Sequence, residues 1–170
     1  MEHRITTEQH EADETRAMQY AFKLLGYRQR SEREMRTRLE RKGFSPPVTD
    51  RTLAELTRLS LLDDRDFAQS WVAARTGRGA ARITQELLQK GIDRDIAEEI
   101  ITTARSAEDE LAAAWQVAIR AIRMRSLAPG REDMLRIRRL LQRRGFSYEV
   151  IGRVCTRLNA QESAEVDWLE

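Results

Sequence analysis

The sequence predicts an all-α fold: an elongated, curved array of three tandem three-helix repeats. Three observations predict it. Apolar residues recur at helical spacing, and the period-two alternation of a strand is absent. Glycines suited to closing a helix stand at Gly43, Gly91 and Gly145, 48 and then 54 residues apart. Around each glycine the same residue classes fall in the same register.

That register is specific. Eight residues before the glycine stands Met35, Ile83 or Ile137, and four before it Leu39, Leu87 or Leu141. One before it is a cation, Lys42, Lys90 or Arg144. One after it is Phe44, Ile92 or Phe146, and five after it Val48, Ile96 or Val150. The apolar matches follow from packing, with the residue just past the glycine folding back as in a Schellman cap. The cation is favoured by the helix dipole at that end.

Taken in order, residues 1–12 are polar and are expected to form a flexible tail, which holds the only histidines, His3 and His10. The first repeat is assigned to 13–62. Its first helix buries Met18, Phe22 and Leu25. A capping box, Ser31 with Glu34, opens the second, which is amphipathic through Met35 and Leu39. Ser45 and Pro46 open the third, with Leu53, Leu56 and Leu59 inward. The second repeat is 63–106. Asp63 or Asp64 caps a helix that carries Phe67, Trp71 and Ala74, and Thr76–Gly79 breaks it. Ile83, Leu87 and Leu88 mark the next helix; Asp93 caps a third with Ile96, Ile100 and Ile101. The third repeat is 107–158: Leu111, Trp115, Ile119 and Ile122, a turn at Pro129–Gly130, then Met134, Ile137, Leu140 and Leu141, then a last helix in which Cys155 packs beside Val150, Ile151, Val154 and Leu158. The stretch 159–170 is an acidic C-terminal tail that ends in Trp168 and Leu169.

One unit of about 50 residues buries little apolar surface alone, and stacked neighbours support each other. A curved row of such units suits lying along a fibre or groove. Catalysis finds no footing: there is no phosphate-cradling glycine loop, no Cys/His ligand cluster, and no histidine in the folded part. Asp63, Asp64 and Asp66 read as helix-start carboxylates and not as metal ligands. No cofactor, metal or catalytic residue is expected. The single cysteine excludes an internal disulfide. No stretch is apolar enough to span a bilayer and no secretory signal is visible, which gives the expectation of a cytoplasmic protein with no membrane contact.

Charge is the remaining clue. The net +2 hides local excesses: eight bases against five acids between Gln29 and Leu62, and eight against three between Arg131 and Leu158. On the second helix of each repeat, cations fall on one flank of the apolar stripe: Arg38, Arg41 and Lys42, then Arg82 and Lys90, then Arg136, Arg143 and Arg144, with Arg138 of the same helix counted among the candidates. Arg75 and Arg78 extend the set beside the helix break. These eleven residues are the candidate contacts for phosphate or an acidic protein surface. The competing reading is ordinary solvation and intrahelical pairing, such as Glu34 with Arg38.

Three segments, RSEREMRTRLERKGF, LLDDRDFAQSWV and GRGAARITQELLQKGI, resemble the RecX regulatory protein family. The LLDD-x-x-FA block at Leu61–Ala68 and the series Arg82, Ile83, Glu86, Leu87, Lys90, Gly91 and Ile92 carry most of the likeness. Ser60 stands where the family usually has glycine. The resemblance covers about Asp13–Leu158 and implies a protein that binds the filament of RecA recombinase on single-stranded DNA, lies in its groove, and restrains its growth, ATP hydrolysis and strand exchange. The partners it implies are that filament, single-stranded DNA and, by extension, double-stranded DNA, met by a monomer. It carries no catalytic residues. The alternatives are a helical DNA-binding module acting without a recombinase, and a helical adaptor for an acidic protein.

Overall fold

The computed structural model describes the backbone of residues 2–125 and 131–166, and the side chains of 11–124 and 132–160. These residues form nine α-helices: α1 Glu2–Leu25, α2 Glu32–Lys42, α3 Pro46–Arg58, α4 Asp64–Ala73, α5 Ala80–Gln89, α6 Arg94–Ala104, α7 Ala107–Arg125, α8 Arg131–Arg143 and α9 Tyr148–Val166. No strand occurs among them. The turn assigned to Pro129–Gly130, the side chains of His3 and His10, and Trp168 and Leu169 lie outside the described residues.

Local chemistry sets the helix ends. Ser31 caps α2 by accepting from the Glu34 N–H at 3.2 Å. Asp63 caps α4 by accepting from the N–H groups of Arg65 and Asp66, at 2.7 and 3.2 Å. Asp93 caps α6 through the Asp95 N–H, at 2.8 Å. Gly43, Gly91 and Gly145 all adopt positive φ, at 98°, 88° and 83°. The next residue then turns back onto the helix. The N–H of Phe44 reaches the Leu39 carbonyl (3.2 Å), that of Ile92 reaches Leu87 (3.1 Å), and that of Phe146 reaches Leu141 (3.2 Å). These are three copies of the Schellman cap.

Each repeat has its own core. Met35, Leu39, Val48, Leu53 and Leu56 centre the first. Phe67, Ile83, Leu87, Ile92 and Ile100 centre the second. Ala114, Ile137, Leu141, Phe146 and Val154 centre the third, with Cys155 at its edge. Every pair of helices that packs along a broad face belongs to a single repeat. The chain exposes 11790 Å², whereas a compact monomer of its 19.8 kDa would expose about 8,600 Å². A row of separate small cores exposes more surface than one shared core would.

Several expectations need correction. Helix α1 begins at Glu2, so the stretch assigned to the N-terminal tail is helical backbone. Its inward face is Ala17, Ala21 and Leu24, one position before the predicted Met18, Phe22 and Leu25. Alanines let α1 pack closely on α3, while Phe22 is left 46% exposed. In α4, Ala68 and Val72 are buried and Ala74 is exposed. Leu59 closes α3 and is exposed. At the other end α9 runs to Val166, into the segment read as an acidic tail.

The repeats join end to end through their middle helices. At the first junction the Ser31 hydroxyl, at the start of α2, donates to the Lys90 carbonyl at the end of α5 (2.6 Å). The Glu32 N–H donates to Asp64 (2.8 Å). At the second junction the Gly79 N–H, at the start of α5, donates to the Arg144 carbonyl at the end of α8 (2.9 Å). The Ala80 N–H donates to Glu110 (2.8 Å). In both, a free helix-end carbonyl meets the start of the next helix, so unpaired groups are satisfied and dipoles align head to tail. Approach is close at both. A Cβ on Gly91 would overlap the Arg33 side chain, and a Cβ on Gly145 would lie 2.5 Å from the Arg82 backbone nitrogen. At Gly43, which faces no neighbouring repeat, a Cβ would meet nothing within 4 Å.

Candidate functional site

The eleven flanking cations divide by where the junctions put them. Four are bound into the second repeat and its two junctions. Arg75 lies 3.8 Å above the Trp71 ring and its Nε bonds Glu86 at 3.1 Å. Arg82 bonds the other Glu86 oxygen at 3.2 Å, and its backbone packs on Gly145. The Lys90 ammonium sits 5.1 Å from the centre of the Trp71 ring and pairs across the junction with Glu34 of the first repeat. Arg144 crosses the second junction to donate to the Gly77 carbonyl at 3.0 Å. Arg78 is half-buried, and its carbonyl and that of Arg75 both accept from the guanidinium of Arg105, at 2.6 and 2.7 Å.

The others stand outward. Arg136 is exposed but paired with Asp133 at 2.9 Å. Lys42 lies 5.8 Å from the Tyr20 ring. Arg38, Arg41, Arg138 and Arg143 are exposed. The register that relates the cation before each glycine therefore hides two jobs. Lys90 and Arg144 close junctions, and Lys42, at the end of the row, is open.

Glu34 and Glu86 hold these cations in place. The Glu34 carboxylate does not complete the capping box, nor pair with Arg38. It accepts from Arg28 at 2.8 and 3.2 Å and from Lys90. Burial pushes its carboxyl up, but the hydrogen bonds from Arg28 and Lys90, with their charges, outweigh burial and leave it below the ordinary carboxylate value. Glu86 behaves alike: burial raises it, and the bonds from Arg75 and the Trp71 ring N–H more than offset this. Asp64 goes the other way, raised by burial and the nearby Asp63 and Glu32 charges against the bond from the Glu32 N–H.

Sequence reading missed Arg28, Arg30 and Arg33, which gather with Arg38 and Lys90 at the first junction. Their crowding around the start of α2 was visible in RQRSER, but the second half of the site comes from another repeat. An apolar hollow of about 760 Å³ at the second junction, between Thr76–Gly77 and α7, was not foreseen either.

Among the described residues no group of His, Cys, Asp and Glu side chains could hold a metal ion. Cys155 is buried, and burial pushes its thiol up, away from the reactive thiolate. No described helix is long and apolar enough to cross a membrane.

Comparison with known proteins places this geometry. The description "RecX, first three-helix domain" matches residues 17–56, the second such domain matches 63–101 and the third 108–155. The chain is similar to the Regulatory protein RecX of Chlorobium phaeobacteroides, 39% identical over 62% of this chain and 72% of that one. It is 33% identical to the Regulatory protein RecX of Mycobacterium ulcerans, over 95% of this chain and 92% of the relative. The crystal structure of RecX from Lactobacillus salivarius shares the fold, with a TM-score of 0.78 at 23% identity, over 88% of this chain and 99% of that chain. The relatives are named as regulatory proteins and not as enzymes. With one family match on each of its three repeats, the chain belongs to the RecX family of regulatory proteins.

Proposed function

We propose that this protein binds the RecA–single-stranded-DNA filament in the cytoplasm and restrains its assembly, ATP hydrolysis and strand exchange. The observation that carries the reading is family membership across all three repeats. The elongated row of separate cores supports it, since such a body offers a long contact surface to a polymer. The exposed cations Arg38, Arg41, Lys42, Arg138 and Arg143 supply charge for that contact. Lys90 and Arg144 act indirectly, by tying neighbouring repeats together, and Arg75 and Arg82 by holding Glu86 inside the second repeat.

A bound regulator biases a filament only if it prefers one of the filament's states. The test is a titration of the full chain into RecA on single-stranded DNA while ATP hydrolysis is followed. Hydrolysis is expected to fall as the protein approaches stoichiometry with the filament, and an unchanged rate there rejects the proposal. Charge reversal at Arg138 and Arg143 is expected to weaken the effect without unfolding the chain. Arg144 is unsuited to that test, because its reversal would also break the second junction. The cluster of arginines at the first junction keeps one alternative in view, direct DNA binding without a recombinase. That reading expects equal affinity for naked DNA and filament, with a steep salt dependence.

A further inference from the structure

At the first junction, the segment between α1 and α2, α2 itself and the end of α5 enclose an open cavity of about 260 Å³. Arg28, Arg30, Arg33, Arg38 and Lys90 line it, with Glu34 as its one carboxylate. Glu34 is already engaged by Arg28 and Lys90. Arg30 is the decisive residue. It is only 9% exposed. Its Nε makes a long bond to the Leu24 carbonyl, at 3.4 Å. Among the described residues it has no ion pair, whereas a buried cation is normally paired, because its lost hydration must be replaced.

We propose that this cavity binds a phosphate group, with Arg30 at its floor. Five cations against one carboxylate leave an excess of four positive charges, more than a single protein carboxylate would balance. Guanidinium forks match phosphate oxygens with paired hydrogen bonds. Burial, then the neighbouring Arg28 and Arg38 charges, hold the Arg30 guanidinium below its ordinary value, against the opposing pull of Glu34. A bound polyanion relieves the repulsion. The site needs both repeats, so phosphate also ties the first junction together. The proposal does not rest on the recombinase reading, since the missing counter-ion follows from Arg30 whatever the partner. The phosphate comes either from a nucleic-acid backbone or from a free phosphorylated small molecule.

The experiment uses the full chain in phosphate-free buffer, with ionic strength matched by potassium chloride. Inorganic pyrophosphate is titrated by calorimetry, the melting temperature is followed, and a single-stranded oligothymidylate is added as competitor. Saturable one-to-one binding and a rise in melting temperature are expected. Arg30→Met is expected to weaken pyrophosphate at least tenfold, by loss of charge-assisted bonds, while it raises the melting temperature of the free protein. If Arg30 were merely structural, Arg30→Met would leave pyrophosphate affinity unchanged and lower the melting temperature. Arg38→Ala, at an exposed side chain, is expected to keep the fold and lose about threefold in affinity. Displacement of pyrophosphate by the oligonucleotide identifies the backbone phosphodiester as the source, and no displacement identifies a small molecule. Either outcome supports the site. The proposal is overturned if neither pyrophosphate nor the oligonucleotide binds saturably, if a glutamate-rich peptide binds where they do not, or if Arg30→Met binds like the parent. Should Arg30→Met fail to fold, Arg38→Ala decides: unchanged affinity overturns the proposal.

Discussion

Ser60 shows how much a single backbone angle explains. It is the one non-glycine residue with positive φ among the described residues, at 54°. It follows α3 as the three glycines follow α2, α5 and α8. The Ser60 N–H bonds the Thr57 carbonyl and the Leu61 N–H bonds the Leu56 carbonyl, each at 2.9 Å, which is the same Schellman pattern. The LLDD block therefore begins one residue after a left-handed cap, which explains why glycine suits the position and serine strains it. Left-handed geometry costs an L-residue about 1–2 kcal/mol, and glycine gives back part of that gain in unfolded-state freedom. Ser60→Gly is thus expected to stabilise the protein by about 1 kcal/mol, read as a higher urea midpoint with an unchanged slope. A lower midpoint would mean that the serine side chain supplies a contact that outweighs the strain.

The helices were legible because their signals are local: caps at Ser31, Asp63 and Asp93, glycine stops, and apolar residues at spacings of three and four. The inward face of α1 was not, because Ala17 and Ala21 carry little hydrophobic signal and the larger Met18 and Phe22 beside them dominate the pattern. Partners were not legible either. Glu34 reads as half of a capping box, and only the arrival of α5 makes it the anion that Lys90 needs. This exchange has a pH signature. Glu34 and Glu86 both lie below their ordinary value of 4.5 in the folded chain. Such carboxyls bind protons more weakly folded than unfolded, so their contribution is complete above about pH 4.5 and is lost as pH falls through the folded value. Melting temperature is expected to decline on acidification in that window. Glu34→Gln should cost about 1–2 kcal/mol at pH 7, where charged hydrogen bonds are lost, and less at pH 3. Glu86 would keep part of the slope in that variant. An equal penalty at both pH values would assign the loss to shape and not to charge.

At the scale of the whole molecule, the cores are separate and the junctions narrow, so stability is a sum of repeat terms and coupling terms. The coupling is carried by a few close backbone contacts, and glycines mark them for reasons that differ. Gly43 needs its glycine only for φ. Gly79 has an ordinary φ of −78°, yet a Cβ there would overlap the Gly145 backbone of the next repeat. Gly79→Ala therefore tests coupling with little change in local conformation. Native-state hydrogen exchange is the measurement that resolves it, because each repeat reports its own opening free energy. Amides beside the second junction, in α5 and α8, are expected to lose protection in Gly79→Ala. Those in α2 and α3 should keep theirs, and the Trp71 and Trp115 environments should melt at separate midpoints. Gly43→Ala should instead lower protection in the first repeat alone. If Gly79→Ala depressed every amide equally, the three repeats would be one cooperative body, and the angle between them would be fixed by something broader than these contacts. If the junction loosens as expected, the row is stiff only while its middle helices abut. A stiff row presents its outward arginines at fixed spacing, and fixed spacing is what lets a string of small cores engage a repeating polymer at several points at once.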